Sequence, residues 1–251
     1  MENDDVRLDK YLANNGFGSR SEVKKLIASG RITVDGTVVT DPAFKVGDGN
    51  TIGNGMPDNN SDFVSHVYYM LNKPNGYITA ASDAKDRTVM ELLGNNRRSG
   101  LSPVGRLDKD TEGLLIITDD GKLNHFLTSP KRDVPKKYYA LLDGIPDEEG
   151  IKKLREGVAF KDFTSRPAVL EIASCDKAAG TSEVYITVTE GKFHEVKRLA
   201  ISIGCEVKYL KRVSFGGVDL DPELKAGEFR VLDPCELECL FASAGMKPDD
   251  K

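Results

Sequence analysis

The sequence predicts an α+β protein in two parts. A small module of two helices and a hairpin precedes a larger domain with a mixed, mostly antiparallel sheet flanked by helices. Strand and helix patterns in the second part follow one another irregularly, whereas a doubly wound fold alternates them. Asp35 and Gly36 lie between two β-rich runs, which is typical of a hairpin turn. Residues 47–66 are rich in glycine and asparagine and have little apolar periodicity, so the two parts are expected to separate there.

The domain boundaries follow from this division of the 251 residues. We expect a first domain at residues 1–50, a linker at 51–66, a second domain at 67–242 and a polar tail at 243–251. The longest aliphatic run, residues 114–117, is far shorter than the roughly 20 apolar residues of a membrane helix. The acidic N-terminus does not resemble a secretory signal. We therefore expect a cytoplasmic protein without membrane association.

The cysteines predict neither a disulfide framework nor a metal site. Cys235 and Cys239 lie four positions apart, on one face if the segment is helical, but two thiols alone do not complete a metal site. The nearest histidine, His194, is distant in sequence. Free thiols agree with a reducing compartment.

Charge restricts where a nucleic acid could bind. The net charge of −5 argues mildly against such a partner, since phosphates attract positive charge. There are 7 basic and 10 acidic residues up to His66, and 28 basic and 30 acidic residues after it. Neither part is basic in total, so any RNA site must be a local patch.

The first part has clear helix signals. Apolar residues at helical spacing within residues 8–12 predict a first helix that stops at residues 14–16. Ser19 and Glu22 match a capping box that starts a second helix, which ends at Gly30. The second helix is expected to bury Val23, Leu26 and Ile27.

A group of cations lies on this second helix and the turn after it. The group consists of Arg20, Lys24, Lys25 and Arg31. It is either a solvated helix face, which is the commoner case, or a patch that binds the phosphate backbone. Taken alone, the cluster favours the solvated face.

The order of helix, helix and hairpin adds a resemblance. Residues 7–12, 19–21 and 30–36 are similar to an S4 RNA-binding domain, over about the first 45 residues. This resemblance implies that Arg20, Lys24, Lys25 and Arg31 contact RNA phosphates. Such contacts position a protein on RNA and do not read its sequence.

The second part is richer in strands. Strands are expected at residues 67–71, 114–118, 138–142, 169–172 and 183–189. Helices are expected at residues 88–93, 122–127, 147–156 and 193–203.

Three segments of this part carry reactive side chains: residues 105–113, 135–139 and 190–198. The first is either a functional loop before a buried strand or a charged turn in which Asp108 and Asp110 bind local amides. The second is also explained by a strand edge with aromatic packing, and the third by a cationic helix surface. Composition alone does not decide between these readings.

Taken together, the segments resemble the RsuA-type branch of the ribosomal RNA pseudouridine synthases, which carries an N-terminal S4 domain. The resemblance covers nearly the whole chain. Its motifs lie at residues 70–77, 105–115, 118–121, 136–138, 167–171 and 190–198. Two positions depart from the pattern, because Glu195 stands where glutamine is more typical and Tyr139 follows the motif tyrosine.

The resemblance implies an isomerase that breaks the C1′–N1 bond of uridine, rotates the base and rejoins it through C5. No net redox change or hydrolysis occurs, so no cofactor or metal is expected. The implied catalytic residues are Asp108, Tyr138 and Lys197. Asp108 would either add to C1′ or promote loss of the 2′ proton, and Lys197 would favour its ionised form.

Other implied roles concern the RNA. Tyr138 would stack on the uracil and exchange a proton, and the target base would be flipped out of its stack. Arg106 would fill the vacated space, and Arg198 would be a further RNA contact. The expected partner is ribosomal RNA, naked or in a partly assembled subunit, and the expected state is a monomer.

Alternative functions remain at this point. Residues 167–171 and the compact C-terminus favour small-subunit (16S) RNA as the target, with large-subunit (23S) RNA as the alternative. A catalytically silent RNA-binding ribosome-assembly factor explains the S4 module equally well. A hydrolase using Asp108 and Asp110 is weaker, because the resemblance gives Asp110 no role.

Overall fold

The computed structural model describes residues 6–14, 20–47, 50, 52–54 and 66–246. These residues form two compact units, one reaching Val67 and including Arg98–Leu101, the other comprising Tyr68–Arg97 and the chain from Ser102 onward. No helix within the described ranges is long and apolar enough to cross a membrane.

The first unit contains short elements around a small core. They are β1 (Val6–Arg7), α1 (Leu8–Asn14), α2 (Arg20–Ala28), β2 (Ile32–Val34), β3 (Thr37–Val38), β4 (Lys45–Val46) and β5 (Ile52–Asn54). Strands β2 and β3 form the predicted hairpin. Asp35 and Gly36 both have positive φ, 50° and 78°, as a tight two-residue turn between twisted strands requires.

The structure differs from the prediction at the start of the expected linker (residues 51–66). Residues 52–54 form β5, which pairs antiparallel with β2. The physical reason is Ile52, which is only 5% exposed and packs in the apolar core with residues of α1, α2 and β2. Residues 51 and 55–65 lie outside the described residues, as do 15, 16 and Ser19, so the predicted capping box is not described.

The second unit is built on one large sheet. Its elements are β6 (Tyr68–Lys73), a 3₁₀ helix (Val89–Asn96), β7 (Ser102–Pro103), β8 (Glu112–Thr118), α3 (Gly121–Thr128), β9 (Lys136–Asp143), α4 (Glu148–Glu156), β10 (Val169–Asp176), β11 (Thr181–Val188), α5 (Glu195–Ser202), β12 (Glu206–Phe215), β13 (Val218–Asp219), β14 (Phe229–Val231) and α6 (Pro234–Ser243). Every strand and helix expected from the pattern is present within a few residues of its predicted bounds.

The sheet has the strand order β10-β11-β9-β12-β8-β6-β14, with β7 beside β8 and β13 beside β12. Pairing between β8 and β12 is parallel, whereas the other strand pairs described in this sheet are antiparallel. The predicted mixed, mostly antiparallel α+β fold is therefore confirmed. This order places the ends of β8, β9 and β12 side by side.

The longest strand, β12, is one that the sequence pattern does not predict. Register shifts against β9 between Val207 and Tyr209, and between Arg212 and Ser214, break the period of two. In addition, Arg212 is only 2% exposed, so a charge occupies a position where the pattern requires an apolar residue. The strand nevertheless lies at the centre of the sheet, where it pairs with both β8 and β9.

Helix α6 was also not predicted. It begins after a capping box in which Asp233 and Glu236 each accept from the other's backbone amide. Leu240 and Phe241 pack into the core of the second unit. Cys235 and Cys239 are exposed on this helix and are free thiols.

Candidate active site

Two cavities lie at the ends of the central strands and share part of their walls. The smaller has a volume of about 70 Å³ and the larger of about 580 Å³. Arg106, Asp108, His194 and Lys197 line both. Tyr138 and Glu195 line the smaller cavity, and Lys109, Asp110 and Phe193 line the larger.

The loop that carries Asp108 is shaped by glycine at the point where it enters β8. Gly113 has a φ of 99° and lies opposite Arg212 of β12 in the parallel pair. A Cβ at this position would overlap the Arg212 carbonyl oxygen, so only glycine allows the two strands to approach. The close approach brings the loop next to β12 and β9.

The same loop is held by hydrogen bonds from Lys73. Its side chain is fully buried, and its Nζ donates to the carbonyl oxygens of Thr111 at 2.7 Å and of Lys109 and Pro74 at 3.2 Å each. Burial lowers the pKa of Lys73 to about 8, so it stays largely protonated at neutral pH. The motif at residues 70–77 thus positions Asp108 through the backbone.

Asp108 faces two basic side chains across the cavity. Its Oδ2 lies 3.7 Å from Nζ of Lys197 and 3.7 Å from Nε2 of His194. Lys197 is closer to Asp110, whose two carboxylate oxygens accept from its Nζ at 2.7 and 2.8 Å. This hydrogen bond lowers the pKa of Asp110. One lysine therefore binds two carboxylates, although the family resemblance gave Asp110 no role.

Tyr138 lies on β9 with its side chain in the cavity wall, and only 8% of it is exposed. Burial raises the pKa of Tyr138 above its ordinary value, so the phenol is neutral at physiological pH. Tyr139 lies elsewhere, with ring centroids 5.8 Å from Tyr185 and 6.1 Å from Tyr209. Strand alternation separates the two tyrosines, since neighbouring side chains point to opposite faces.

Behind Tyr138 lies Arg212, a residue that sequence reasoning missed. Its Nε donates to the Leu114 carbonyl oxygen at 2.8 Å, and its guanidinium lies 4.8 Å from the Phe215 ring centroid. Its Nη2 has no hydrogen-bond partner among the described residues. The guanidinium counteracts the effect of burial by lowering the pKa of Tyr138.

The turn before α5 presents an aromatic pair at the mouth of the larger cavity. His194 has a left-handed backbone with a φ of 51°. Its ring stacks on that of Phe193, with centroids 3.8 Å apart and planes at 21°. Phe193 is 76% exposed, which is unusual for a phenylalanine and leaves one ring face open to solvent.

The two predicted arginine contacts differ in their placement. Arg106 is exposed and lines both cavities. Arg198 lines neither, because it bonds Asp162 at 3.0 and 2.5 Å and lies over the rings of Phe160 and Phe163 at 4.4 and 4.7 Å. The helical turn that brings Lys197 to Asp108 directs its neighbour Arg198 to a different surface.

In the first unit, the predicted cations are not all alike. Asp9 is fully buried, and Arg7, Arg20 and Lys24 lie 3.1, 3.4 and 3.9 Å from its carboxylate. The hydrogen bond from Arg7 is the largest of the causes that lower the pKa of Asp9 to about 2. Three cations surround one carboxylate, so the cluster stays positive. Lys25 and Arg31 are exposed and form no ion pair within the part of the chain that the structure describes.

Comparisons with known proteins identify the family of the chain. A family model described as RNA pseudouridylate synthase matches residues 67–202, and an S4 domain model matches residues 6–52. A crystal structure of a pseudouridylate synthase superimposes with a TM-score of 0.65 at 32% identity, covering 94% of this chain and 99% of the other.

Three relatives span nearly the whole chain. An uncharacterized RNA pseudouridine synthase of Bacillus subtilis, YtzG, is 43% identical over 94% of this chain and 98% of its own. Ribosomal large subunit pseudouridine synthase B of the same organism is 37% identical over 95% and 96%. Ribosomal small subunit pseudouridine synthase A of Escherichia coli K12 is 35% identical over 92% and 98%.

Proposed function

The chain belongs to the RNA pseudouridylate synthase family, and we propose that it isomerises a uridine of ribosomal RNA to pseudouridine in the cavity around Asp108. The observation that supports this proposal is the meeting of Asp108, Tyr138 and Lys197 in one cavity. These residues come from a loop, a strand and a helix that are far apart in sequence. Their roles follow from their surroundings.

Asp108 is the group that acts on the ribose. It cleaves the C1′–N1 bond either by adding to C1′ or by promoting loss of the 2′ proton. Nζ of Lys197 and Nε2 of His194 each lie 3.7 Å from its Oδ2, so Lys197 places a positive charge beside the carboxylate that either route uses. Because Lys197 also binds Asp110, it is held in place before substrate arrives.

Tyr138 and Arg106 act on the base and on the RNA. The neutral ring of Tyr138 stacks on the flipped uracil, and its hydroxyl exchanges a proton during rotation of the base. Arg106, exposed at the rim of both cavities, enters the space that the base leaves in the RNA. We assign Arg198 to the packing of α5 through Asp162 rather than to this cavity.

The target RNA is proposed from a sequence motif and from the name of one relative. Small-subunit RNA is favoured by the motif at residues 167–171, and large-subunit RNA is the second candidate because a 37% identical relative carries that name. Pseudouridine mapping on ribosomal RNA from cells that lack this protein decides between them. Loss of one pseudouridine in either RNA identifies the target, and unchanged maps of both contradict the proposal. Restoring the site with purified protein on naked RNA or on isolated subunits identifies the substrate form.

We further propose that the cations of the first unit bind RNA phosphates. Lys25→Gln with Arg31→Gln should weaken RNA binding and reduce the slope of log affinity against log salt by about 2, or about 1 for each lost contact. Filter binding at several salt concentrations measures this slope. Lys10→Gln is the control, because Lys10 is exposed on α1 outside the cluster. An unchanged slope in the double variant contradicts this assignment.

A further inference from the structure

Two buried glutamates flank the turn that leads into α5. Glu190 follows β11 and is 6% exposed, and Glu195 begins α5 and is 5% exposed. Both line the smaller cavity. The two side chains lie close to each other, because Glu190 is among the groups that raise the pKa of Glu195. Ionised carboxylates only accept hydrogen bonds, so a direct bond between these two groups would require a proton on one of them.

The other contacts of the pair leave room for that proton. Glu190 Oε1 accepts from the amide of Arg166 at 2.7 Å, and Glu195 Oε2 accepts from the amide of Lys192 at 3.1 Å. Each carboxyl group therefore has one oxygen held by the backbone and one available to its neighbour. The bond from Lys192 closes the turn that contains His194.

Burial and the neighbouring carboxylate indicate where the proton resides. Burial first, and then Glu190, raise the pKa of Glu195 to about 7. Lys136 and Tyr138 of β9 interact with Glu195, and both of them interact in turn with Arg212 of β12. The other charged or titratable residues that line the same cavity are Arg106, Asp108, Lys192, His194 and Lys197. Lys136 acts in the opposite direction, but its own pKa is lowered to about 8 by burial and by Arg212.

We propose that Glu195 is a positioning residue that must carry a proton, which it donates to Glu190. Through this bond it fixes the turn at residues 190–195 and keeps His194 and Lys197 against Asp108. A protonated carboxyl group offers the same donor as the amide of glutamine, the residue that the sequence resemblance expects here. Loss of the proton would leave two buried negative charges in contact and would open the turn.

The activity test rests on the proposed function. Tritium release from C5-labelled RNA is measured between pH 6 and pH 9 for the wild type, Glu195→Gln and Glu195→Ala. The wild-type rate relative to that of Glu195→Gln should fall about 10-fold for each pH unit above the point where Glu195 ionises. Both proteins retain Lys73 and Lys136, so the ratio isolates Glu195. Glu195→Ala should be slow at every pH, because it lacks both donor and acceptor.

A constant ratio across this range overturns the proposal, as does a Glu195→Ala variant as active as Glu195→Gln. A second measurement does not depend on activity. In protein with ¹³C-labelled glutamate, the carboxyl signal that disappears in Glu195→Gln should titrate near pH 7. A titration near the ordinary value of 4.5 also overturns the proposal. If no RNA is modified but the signal titrates near 7, the proposed function alone has failed.

The free energy of unfolding should fall with rising pH, as the activity ratio does. The folded protein holds the Glu195 proton more tightly than the unfolded chain, so its stabilising contribution is complete below pH 4.5 and is lost as the pH rises to about 7. The free energy of unfolding of the wild type relative to Glu195→Gln should therefore decrease over that interval and stay level above it. Urea unfolding at each pH measures the difference, and a level difference from pH 4 to pH 8 contradicts the raised proton affinity.

Discussion

Asp108→Asn is expected to lower the rate of isomerisation by at least about 10²–10⁴-fold while leaving RNA affinity within a few fold. The amide is nearly isosteric, so the loop held by Lys73 should keep its shape. It has no negative charge, however, and neither adds to C1′ nor accepts the 2′ proton. The affinity should change little because the substitution leaves Arg106 and the proposed phosphate-binding cations of the first unit unchanged.

The measurement is single-turnover tritium release from C5-labelled RNA, with filter binding on the same preparations. Asp110→Asn is the matched control, since Asp110 lies two positions away and makes the closer contact with Lys197. It should cost less than about 10-fold, because its role is to orient the lysine. Substantial turnover by Asp108→Asn, or equal losses in the two variants, contradicts the assignment of the reacting carboxylate.

Lys197→Met is expected to reduce turnover by about 10²–10³-fold, which is typical when one preorganised group is removed from a charge that reacts. Methionine keeps most of the side-chain length but removes the cation between Asp108 and Asp110. The two carboxylates then repel each other, and Asp108 loses the cation that lies 3.7 Å from its Oδ2. Lys197→Arg keeps the charge and should retain turnover within about 10-fold.

A cation on the same turn provides the control for this prediction. Lys192 lines both cavities but makes no ion pair with Asp108 or Asp110 within the described residues. Lys192→Met should therefore reduce turnover much less than Lys197→Met. The comparison uses the rate at saturating RNA, so that weaker phosphate binding does not enter. If Lys197→Met is as active as Lys192→Met, the ion pair is not part of the catalytic arrangement.

Local sequence was sufficient for most elements of the fold. The hairpin signal, the buried aliphatic run of β8 and the alternation in β11 each depend on neighbours only a few residues away. Prediction failed for β12, because its register shifts and the buried Arg212 remove the period on which strand recognition depends. The sequence pattern also placed residues 52–54 in a linker, because no residue near Ile52 in the sequence indicates that Ile52 packs in a core formed by distant residues.

The sequence by itself determined the family-like order of motifs and, with it, the identity of Asp108, Tyr138 and Lys197 as candidates. Only the tertiary structure decided which hydrogen bonds and ion pairs hold these residues. The bond from Lys197 to Asp110 spans 87 positions, and that from Lys73 to the loop spans 38. The reason is physical: a side chain's charge and hydrogen bonds depend on what lies within a few ångströms of it. In a sheet whose central strand β12 joins β8 to β9, those neighbours are supplied by strand pairing between segments far apart along the chain.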